Sequence, residues 1–202
     1  MNYHFLLDVE AHVRAVFSEN IKAFFTYHNL EHTTSVVEVA TNLCRAYNLD
    51  QDDTIRVIVA AWFHDIGHFF NGHDHEAEGA ELCADFLHKN DVEQGAIEQV
   101  KRLILATNIH AKGISLPERI IKDADIHYIG TKHYFDLSVG LRQEWDHFSD
   151  SSLSDQEWYG KNMKFFDRHQ WLTHVGENWF AEQKEVNLQR IQTLYNKSRD
   201  NG

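Results

Sequence analysis

The adjacent pair His64 and Asp65 ends an apolar run that begins at Ala60. Shortly after this pair come three more imidazoles and a carboxylate: His68, His73, His75 and Glu76. Burying a charge or an unpaired polar group among apolar helices is costly, so these groups need a partner. A metal ion is the simplest partner that satisfies several imidazoles and carboxylates at once. The stretch therefore predicts a metal site.

His32 and Asp125 are the natural suppliers of further metal ligands. Adjacent residues on a helix differ by about 100° in direction, so His64 and Asp65 share one metal only if it lies beside their helix. His32 and Asp125 each lie in a segment with its own apolar stripe, so each helix should pack against the buried one. Two histidines and two aspartates leave coordination positions open for water, as a catalytic site requires.

The type of metal is not distinguished by these ligands. Imidazole nitrogen and carboxylate oxygen suit zinc, iron, manganese, nickel and magnesium to different degrees. His28 and His32 are four residues apart and share a helix face. An isolated pair of that kind is more typical of a solvated helix end, so His28 needs support from elsewhere.

The composition indicates one soluble helical domain. The 202 residues suffice for a single sizeable core, and 43% hydrophobic with 25% charged residues is ordinary for a globular protein. One proline and ten glycines favour long helices over many turns. The net charge of −12 lacks the basic footprint of nucleic-acid binding and argues against anionic membranes.

The two cysteines, Cys44 and Cys83, are too few for a disulfide framework and are expected to be buried free thiols. Residues 1–5 show no basic region followed by an apolar one, so no signal peptide is predicted. No apolar run approaches the length of a membrane span. We therefore expect a cytoplasmic protein.

Apolar residues recur at helical spacing along most of the chain. They predict a helix from Phe5, a short helix at 21–25, a helix reaching about Tyr47 and a buried helix at 55–63. Further helices follow, one of them capped by Asn90 or Asp91 and one opened by a capping box at 115–118. The fold class is all-α, a single domain over residues 1–202 with a core at 22–130 and a C-terminal helical extension at 131–202.

In this order and on helices, His32, His64, Asp65 and Asp125 resemble the signature of the HD superfamily of metal-dependent phosphohydrolases. That signature is His…His-Asp…Asp on an all-helical bundle. The resemblance implies a bundle of the HD-domain type with these four residues as metal ligands. It also implies a divalent metal ion as cofactor.

Two narrower resemblances assign further roles. The stretch Tyr-His-Asn-Leu-Glu-His at 27–32 looks like a motif of cyclic-nucleotide phosphodiesterases, which implies that His28 donates a proton to the leaving oxygen. The stretch at 64–76 looks like a motif of deoxynucleotide triphosphohydrolases. There the matching positions surround the substrate phosphates and the attacking water, which implies substrate contacts for His68 and catalytic roles for His73 and Glu76.

The chain also resembles a group of small predicted HD phosphohydrolases that carry Glu-Ala-x-x-Ala and Ala-Thr-x-x-His. Here these read 76–80 and 106–110, and Leu-Arg-Gln-Glu at 141–144 also fits that group. His110 and Arg142 are therefore added to the substrate-binding candidates, although an arginine of this kind is more often a plain surface charge.

The resulting expectation is a metal-dependent phosphohydrolase that uses activated water on a nucleotide or a small phosphate ester. Asp65 would ligate metal and orient water, and a second metal could be held by Asp65 with His68, His75 or His110. The alternatives are an HD-type di-iron oxygenase and a non-catalytic HD signalling or binding module. The expected partner is a small phosphorylated substrate, not nucleic acid or membrane, and the protein is expected to be a monomer or homodimer.

Overall fold

The structure is a computed structural model that describes residues 1–70, 74–149 and 151–200. These ranges are helical and contain no strand, which confirms the all-α fold class. Two short 3-10 helices cover Ile66–Phe69 and His127–Gly130. The α-helices are α1 (Phe5–Asn20), α2 (Leu30–Ala46), α3 (Gln51–Phe63), α4 (His75–Lys89), α5 (Gln94–Ala106), α6 (Leu116–Ile126), α7 (Tyr134–Phe148), α8 (Asp155–Arg168) and α9 (His174–Asp200).

The chain divides into two compact units. The first comprises Met1–Lys22 and His28–Asp125, and the second comprises Ala23–Tyr27 and Ile126–Gly202. The division between a core at 22–130 and an extension at 131–202 stays a prediction, as does the assignment of a single domain.

Helix α3 is the centre of the first unit. Every residue from Val57 to Gly67 is buried, as its nearly uniform apolar character predicts. The helix is in contact with α1, α2, α4 and α5. An all-round apolar helix needs neighbours on every side, and these four helices supply them.

Polar side chains fix where the helices of the first unit begin. The Asn29 side chain accepts hydrogen bonds from the backbone N–H groups of Glu31 and His32 at the start of α2. Ser115 and Glu118 form the predicted capping box at α6, each side chain accepting from the backbone N–H of the other. These caps set the register of the helices that carry His32 and Asp125.

The predicted short helix at 21–25 is wrong. Ile21 has an extended backbone that ends α1, and turns follow it. In the second unit, the Phe24 ring stacks on His147 with 4.1 Å between ring centroids, and the Phe25 ring packs on Phe148. Apolar spacing in this segment therefore reflects aromatic packing against α7 and not a helix.

The predicted cap of α5 is also wrong. Glu93 precedes the first residue of α5, whereas Asn90 ends α4. Asp91 has a φ of 55°, in the left-handed region that aspartate tolerates better than most residues. The polar residues at this position therefore form a turn between two helices.

The second unit is built around an aromatic core. Its buried members are Tyr27, Tyr128, Ile129, Tyr134, Phe166 and Ile191. Helix α9 packs against α8 and against the 3-10 helix at 127–130, where the buried Asn187 side chain donates to the carbonyls of Ile129 and Thr131.

Two further expectations from the sequence concern the cysteines and membrane-spanning helices. Cys44 and Cys83 are free and buried, as predicted, and burial raises the pKa of the Cys44 thiol to about 12. Across the residues that the structure describes, no helix is both long and apolar enough to cross a membrane.

Gly67 lets the 3-10 helix at 66–69 lie directly against α4. A Cβ at this position would lie 2.0 Å from the carbonyl oxygen of His75 and 2.8 Å from the backbone nitrogen of Gly79. Gly79 is equally confined, since its Cβ would lie 2.9 Å from the carbonyl oxygen of Phe63. Glycine is required here for close backbone approach, because neither residue has a positive φ.

The Gly67→Ala substitution should lower the free energy of unfolding by about 3 kcal/mol, because the new methyl group meets backbone atoms that have no room to move. Gly95→Ala is the matched control. A Cβ there meets only the flexible Glu93 side chain at 3.7 Å, so alanine should raise stability by about 0.5–1 kcal/mol. Urea unfolding followed by circular dichroism measures both changes. Equal stability of Gly67→Ala and the wild type would contradict the close approach.

Candidate metal centre

Three helices of the first unit bring His32, His64 and Asp125 together. His32 lies in the first turn of α2, His64 directly follows the end of α3, and Asp125 lies near the end of α6. One potential ligand atom from each lies within 4.8 Å of the others. These residues are far apart in sequence, so only the packing of α2 and α6 near α3 assembles the group.

The ligand atoms converge on one small region. His64 Nε2 lies 3.3 Å from His32 Nε2 and 3.5 Å from Asp125 Oδ1, and His32 Nε2 lies 3.4 Å from Asp125 Oδ1. Asp65 Oδ2 lies 3.1 Å from His64 Nε2 and 3.2 Å from His32 Nε2. His64 is fully buried, and His32 and Asp65 are each 6% exposed.

Asp65 Oδ2 provides the test of whether a metal fits. Its distances to the two imidazoles are those of ion pairs, but its contacts do not have hydrogen-bond geometry. Within the described ranges it is a buried oxygen with no hydrogen-bond partner. A buried carboxylate oxygen in this state is costly unless a cation occupies the point it faces. Two imidazole nitrogens and two carboxylates around that point are a fitting donor set for a divalent metal.

The end of α3 sets the tautomer of His64. His64 Nδ1 lies 2.8 Å from the carbonyl oxygen of Ala61, one of the last four carbonyls of the helix, which lack partners within it. A carbonyl only accepts, so Nδ1 carries the proton. In the neutral ring Nε2 then presents its lone pair to the cluster, as a metal ligand must.

Burial and mutual attraction shift the pKa values of the four residues in opposite directions. Burial lowers the pKa of His64, but the charge of Asp65 and contacts with Asp125 outweigh it and raise the pKa well above its usual value. The pKa of His32 is raised in the same way. Burial raises the pKa values of Asp65 and Asp125, but the neighbouring histidines bring both below the usual range.

A second group uses the same aspartate. His28, Asp65 and His68 also offer ligand atoms within 4.8 Å of one another. His68 Nε2 lies 3.9 Å from Asp65 Oδ1 and is buried without a hydrogen-bond partner in the part of the chain described. Burial, together with the charge of His28, lowers the pKa of His68 to about 3, so its ring is neutral at physiological pH.

Three histidine rings, those of His28, His68 and His75, form a row beside Asp65. Ring centroids are 4.1 Å apart between His28 and His68, and 3.7 Å apart between His68 and His75. His75 Nε2 in turn lies 3.5 Å from Oε1 of the buried Glu76. A continuous row of polar groups therefore runs from Asp65 to Glu76.

Two sequence-predicted residues, His110 and Arg142, are not part of these groups. His73 falls outside the described residues. His110 is exposed on the loop after α5. Arg142 belongs to the second unit, where its guanidinium pairs with Asp155 at 2.7 Å and donates to the carbonyl of Leu153.

Sequence reasoning missed Asn108. Its side-chain Nδ2 donates to Glu76 Oε1 at 3.1 Å, although the two residues lie on different elements. The Ala-Thr-x-x-His pattern contains this position, but as an unspecified residue. A long-range hydrogen bond to Glu76 leaves no periodic trace in the sequence.

Comparison with known families identifies the part of the chain that carries these residues. A model described as the HD domain matches residues 29–127. The chain therefore contains an HD domain, at residues 29–127. No curated protein sequence matches it. The crystal structure of a predicted HD superfamily hydrolase from an uncultured Thermotogales bacterium is similar over 95% of this chain and 92% of that one, with a TM-score of 0.62 and 18% identity. At that identity the likeness shows the fold alone.

The pKa shifts predict how the stability of the metal-free HD protein depends on pH. The raised pKa values of His64 and His32 contribute stability that is fully present below about pH 6.5 and lost as pH rises through the folded values. The lowered values of Asp65 and Asp125 contribute stability that is lost on acidification below about pH 4. The lowered pKa of His68 removes stability as pH falls below about 6.5, so the alkaline side of the profile is the side that reports on His64 and His32. Urea unfolding in EDTA should therefore show stability that falls as pH rises from about 6.5 to 8.5.

His64→Gln should flatten the alkaline side of this profile. Excess divalent metal should reverse it, because metal and protons compete for the imidazoles. Metal-free stability that rises from about pH 6.5 to 8.5 would be the wrong sign for this cluster.

Proposed function

We propose that this HD protein is a metal-dependent phosphohydrolase acting on a nucleotide or a small phosphate ester. The observation that carries this proposal is the largely buried cluster of His32, His64, Asp65 and Asp125, in which Asp65 Oδ2 has no hydrogen-bond partner among the described residues. The HD-domain match and the similar fold of a predicted HD superfamily hydrolase support the same reaction class.

The four residues of the cluster would hold the metal. A bound divalent ion supplies Lewis acidity, which activates water and polarises a phosphoryl oxygen. Asp65 orients the attacking water with the carboxylate that also faces His68. Its lowered pKa keeps it ionised at neutral pH, so it accepts hydrogen bonds.

His28 is the proposed proton donor to the leaving oxygen. Its ring is half-buried beside His68, next to the cluster, and an imidazole can act as a general acid. Glu76 is the proposed second catalytic carboxylate, and it lies at the end of the histidine row. The catalytic role of His73 and the substrate contacts of His68, His110 and Arg142 stay predictions.

A non-catalytic module is a weaker reading. Burying two aspartates and two histidines among apolar helices is costly and serves no purpose in a domain that has lost its ligand.

The functional test is a phosphate-release screen over nucleotides and small phosphate esters, repeated with Mg²⁺, Mn²⁺, Fe²⁺, Ni²⁺ and Zn²⁺. Release from none of these compounds with any metal would count against the proposal.

His64→Ala should remove both metal and activity. It deletes a fully buried ligand, so bound metal should fall below stoichiometric amounts and phosphate release should drop by about a thousandfold. His88→Ala is the matched control, because His88 is exposed at the end of α4 and should behave as the wild type. Elemental analysis and kinetics measure the two effects. Wild-type rates from folded, metal-depleted His64→Ala would refute the mechanism.

A second candidate is a di-iron oxygenase of the HD type. The specific observation that favours it is the second group, His28, Asp65 and His68. The Oδ2 atom of its aspartate lies 3.1 Å from His64 Nε2 and 3.2 Å from His32 Nε2 of the first group. The second group contains two buried atoms, Asp65 Oδ2 and His68 Nε2, that have no hydrogen-bond partner among the described residues. Oxygen consumption by iron-loaded protein, with no phosphate release, would select this function.

His68→Ala tests whether two metals bind. If Asp65 bridges two ions, elemental analysis should give two metals per chain for the wild type and one for His68→Ala, because the first group remains intact. Asp65→Asn should lose both ions, since it weakens both groups. One metal in both the wild type and His68→Ala would exclude a second site at His68.

A further inference from the structure

The loop that follows α5 is organised around Asn108. Its Oδ1 accepts a hydrogen bond from the backbone N–H of His110 at 2.9 Å. Its carbonyl oxygen accepts from the backbone N–H of Ala111 at 2.9 Å. The same residue therefore supports a side-chain turn and a backbone turn, which together define the path of the loop.

The orientation of the Asn108 amide follows from these contacts. A backbone N–H only donates, so the atom that faces His110 must be the oxygen. The amide nitrogen then faces Glu76 Oε1, 3.1 Å away, and donates to it. The amide thus has two separate tasks: its oxygen supports the loop, and its nitrogen holds a carboxylate on α4.

Lys122 ties this loop to the helix that carries Asp125. Its Nζ donates to the carbonyl oxygens of Ala106 at 2.8 Å and Asn108 at 2.7 Å. Lys122 is one turn before Asp125 on α6, and its pKa is lowered by burial. The ammonium group therefore caps the C-terminal end of α5.

Glu76 is the group that these contacts hold. It is 8% exposed and lies in the first turn of α4, directly after His75, whose Nε2 is 3.5 Å from the same Oε1. The carboxylate is therefore held from two sides, by an amide on the α5 loop and by the last ring of the histidine row. An ordinary solvated glutamate has neither constraint.

We propose that Asn108 is a positioning residue that fixes the Glu76 carboxylate beside the metal centre, with Lys122 holding Asn108 in place. This inference rests on the proposed hydrolase function for its catalytic consequence. The hydrogen bond itself is independent of the reaction, so it can be tested separately.

Asn108→Asp separates the two tasks of the amide. Aspartate keeps the oxygen that accepts from His110, so the loop remains supported. It replaces the donor with a second carboxylate oxygen at about the 3.1 Å separation from Glu76, where two negative charges repel. Asn108→Ala removes both tasks, and Asn90→Asp is the matched control, because Asn90 is exposed and its side chain donates to the Phe86 carbonyl of its own helix.

The kinetic test uses Mn²⁺-loaded protein with p-nitrophenyl phosphate and bis(p-nitrophenyl) phosphate. Both Asn108 variants should lower kcat by about 10–100-fold, as loss of supporting contacts around a metal site does, while KM changes less than twofold. Asn90→Asp should match the wild type. If Asn108→Asp retains wild-type kcat while Asn108→Ala does not, Asn108 serves only the loop and the proposal is overturned.

A readout without activity uses amide NMR spectra of the metal-free protein. The side-chain NH₂ signals of Asn108, assigned by their loss in Asn108→Asp, should shift in Glu76→Gln and stay in place in the neighbouring Glu78→Gln. Lys122→Met should increase hydrogen exchange at the His110 and Ala111 amides. Unshifted Asn108 signals in Glu76→Gln overturn the positioning role even if the wild type is an active hydrolase. If the signals shift in a protein that hydrolyses no ester, the positioning role of Asn108 stands and the proposed hydrolase function is refuted.

Discussion

Four ionisable side chains meet around one point of the first unit, and the surrounding helices must stabilise them. Three are buried, and the fourth, Asp125, is half-buried. His32, His64, Asp65 and Asp125 each lose hydration on folding, and the effective penalty for an unpaired buried ion is several kcal/mol. Their mutual attraction offsets part of this penalty, as the opposite pKa shifts of the histidines and aspartates show. The remainder requires rigid surroundings, because ion pairs at 3.1–3.5 Å weaken quickly when atoms drift apart.

Helix α3 provides that rigidity through its own end. The buried helix is packed against four neighbours, so the position of its last turn is fixed. His64 then closes on the Ala61 carbonyl, which ties the ring to the backbone that precedes it. Immediately afterwards, Gly67 allows the chain to contact the start of α4. The same backbone contact that packs the fold therefore brings His68 to His75, and so links the metal ligands to Glu76.

The sequence predicts the parts of this arrangement that have local or periodic causes. The apolar run before His64 and the capping box at 115–118 both follow from neighbouring residues, and the structure has both. The short helix at 21–25 was a wrong prediction because apolar spacing does not show which partner a side chain packs against. Phe24 has its partner in α7, more than a hundred residues away.

The sequence analysis also fails to predict polar contacts between elements that are distant in the chain. Asn108 hydrogen-bonds Glu76 across 32 positions, and no local signal distinguishes it from any other asparagine in a loop. Conversely, His110 fits a family pattern, yet its side chain is exposed while its backbone N–H supports the loop. A pattern of residue types thus locates the important loop without showing which of its atoms are used.

Asp65 is the residue whose chemistry the fold uses most fully. Its Oδ2 faces His32 and His64, whereas its Oδ1 faces His68 at 3.9 Å. Only a carboxylate offers two equivalent acceptor oxygens on one short side chain, so neither histidine nor asparagine could serve both groups as an anion. A histidine at position 65 would present one lone pair, and asparagine would point a donor at one set of imidazoles. The aspartate of the His-Asp pair therefore faces the imidazoles of both groups at once.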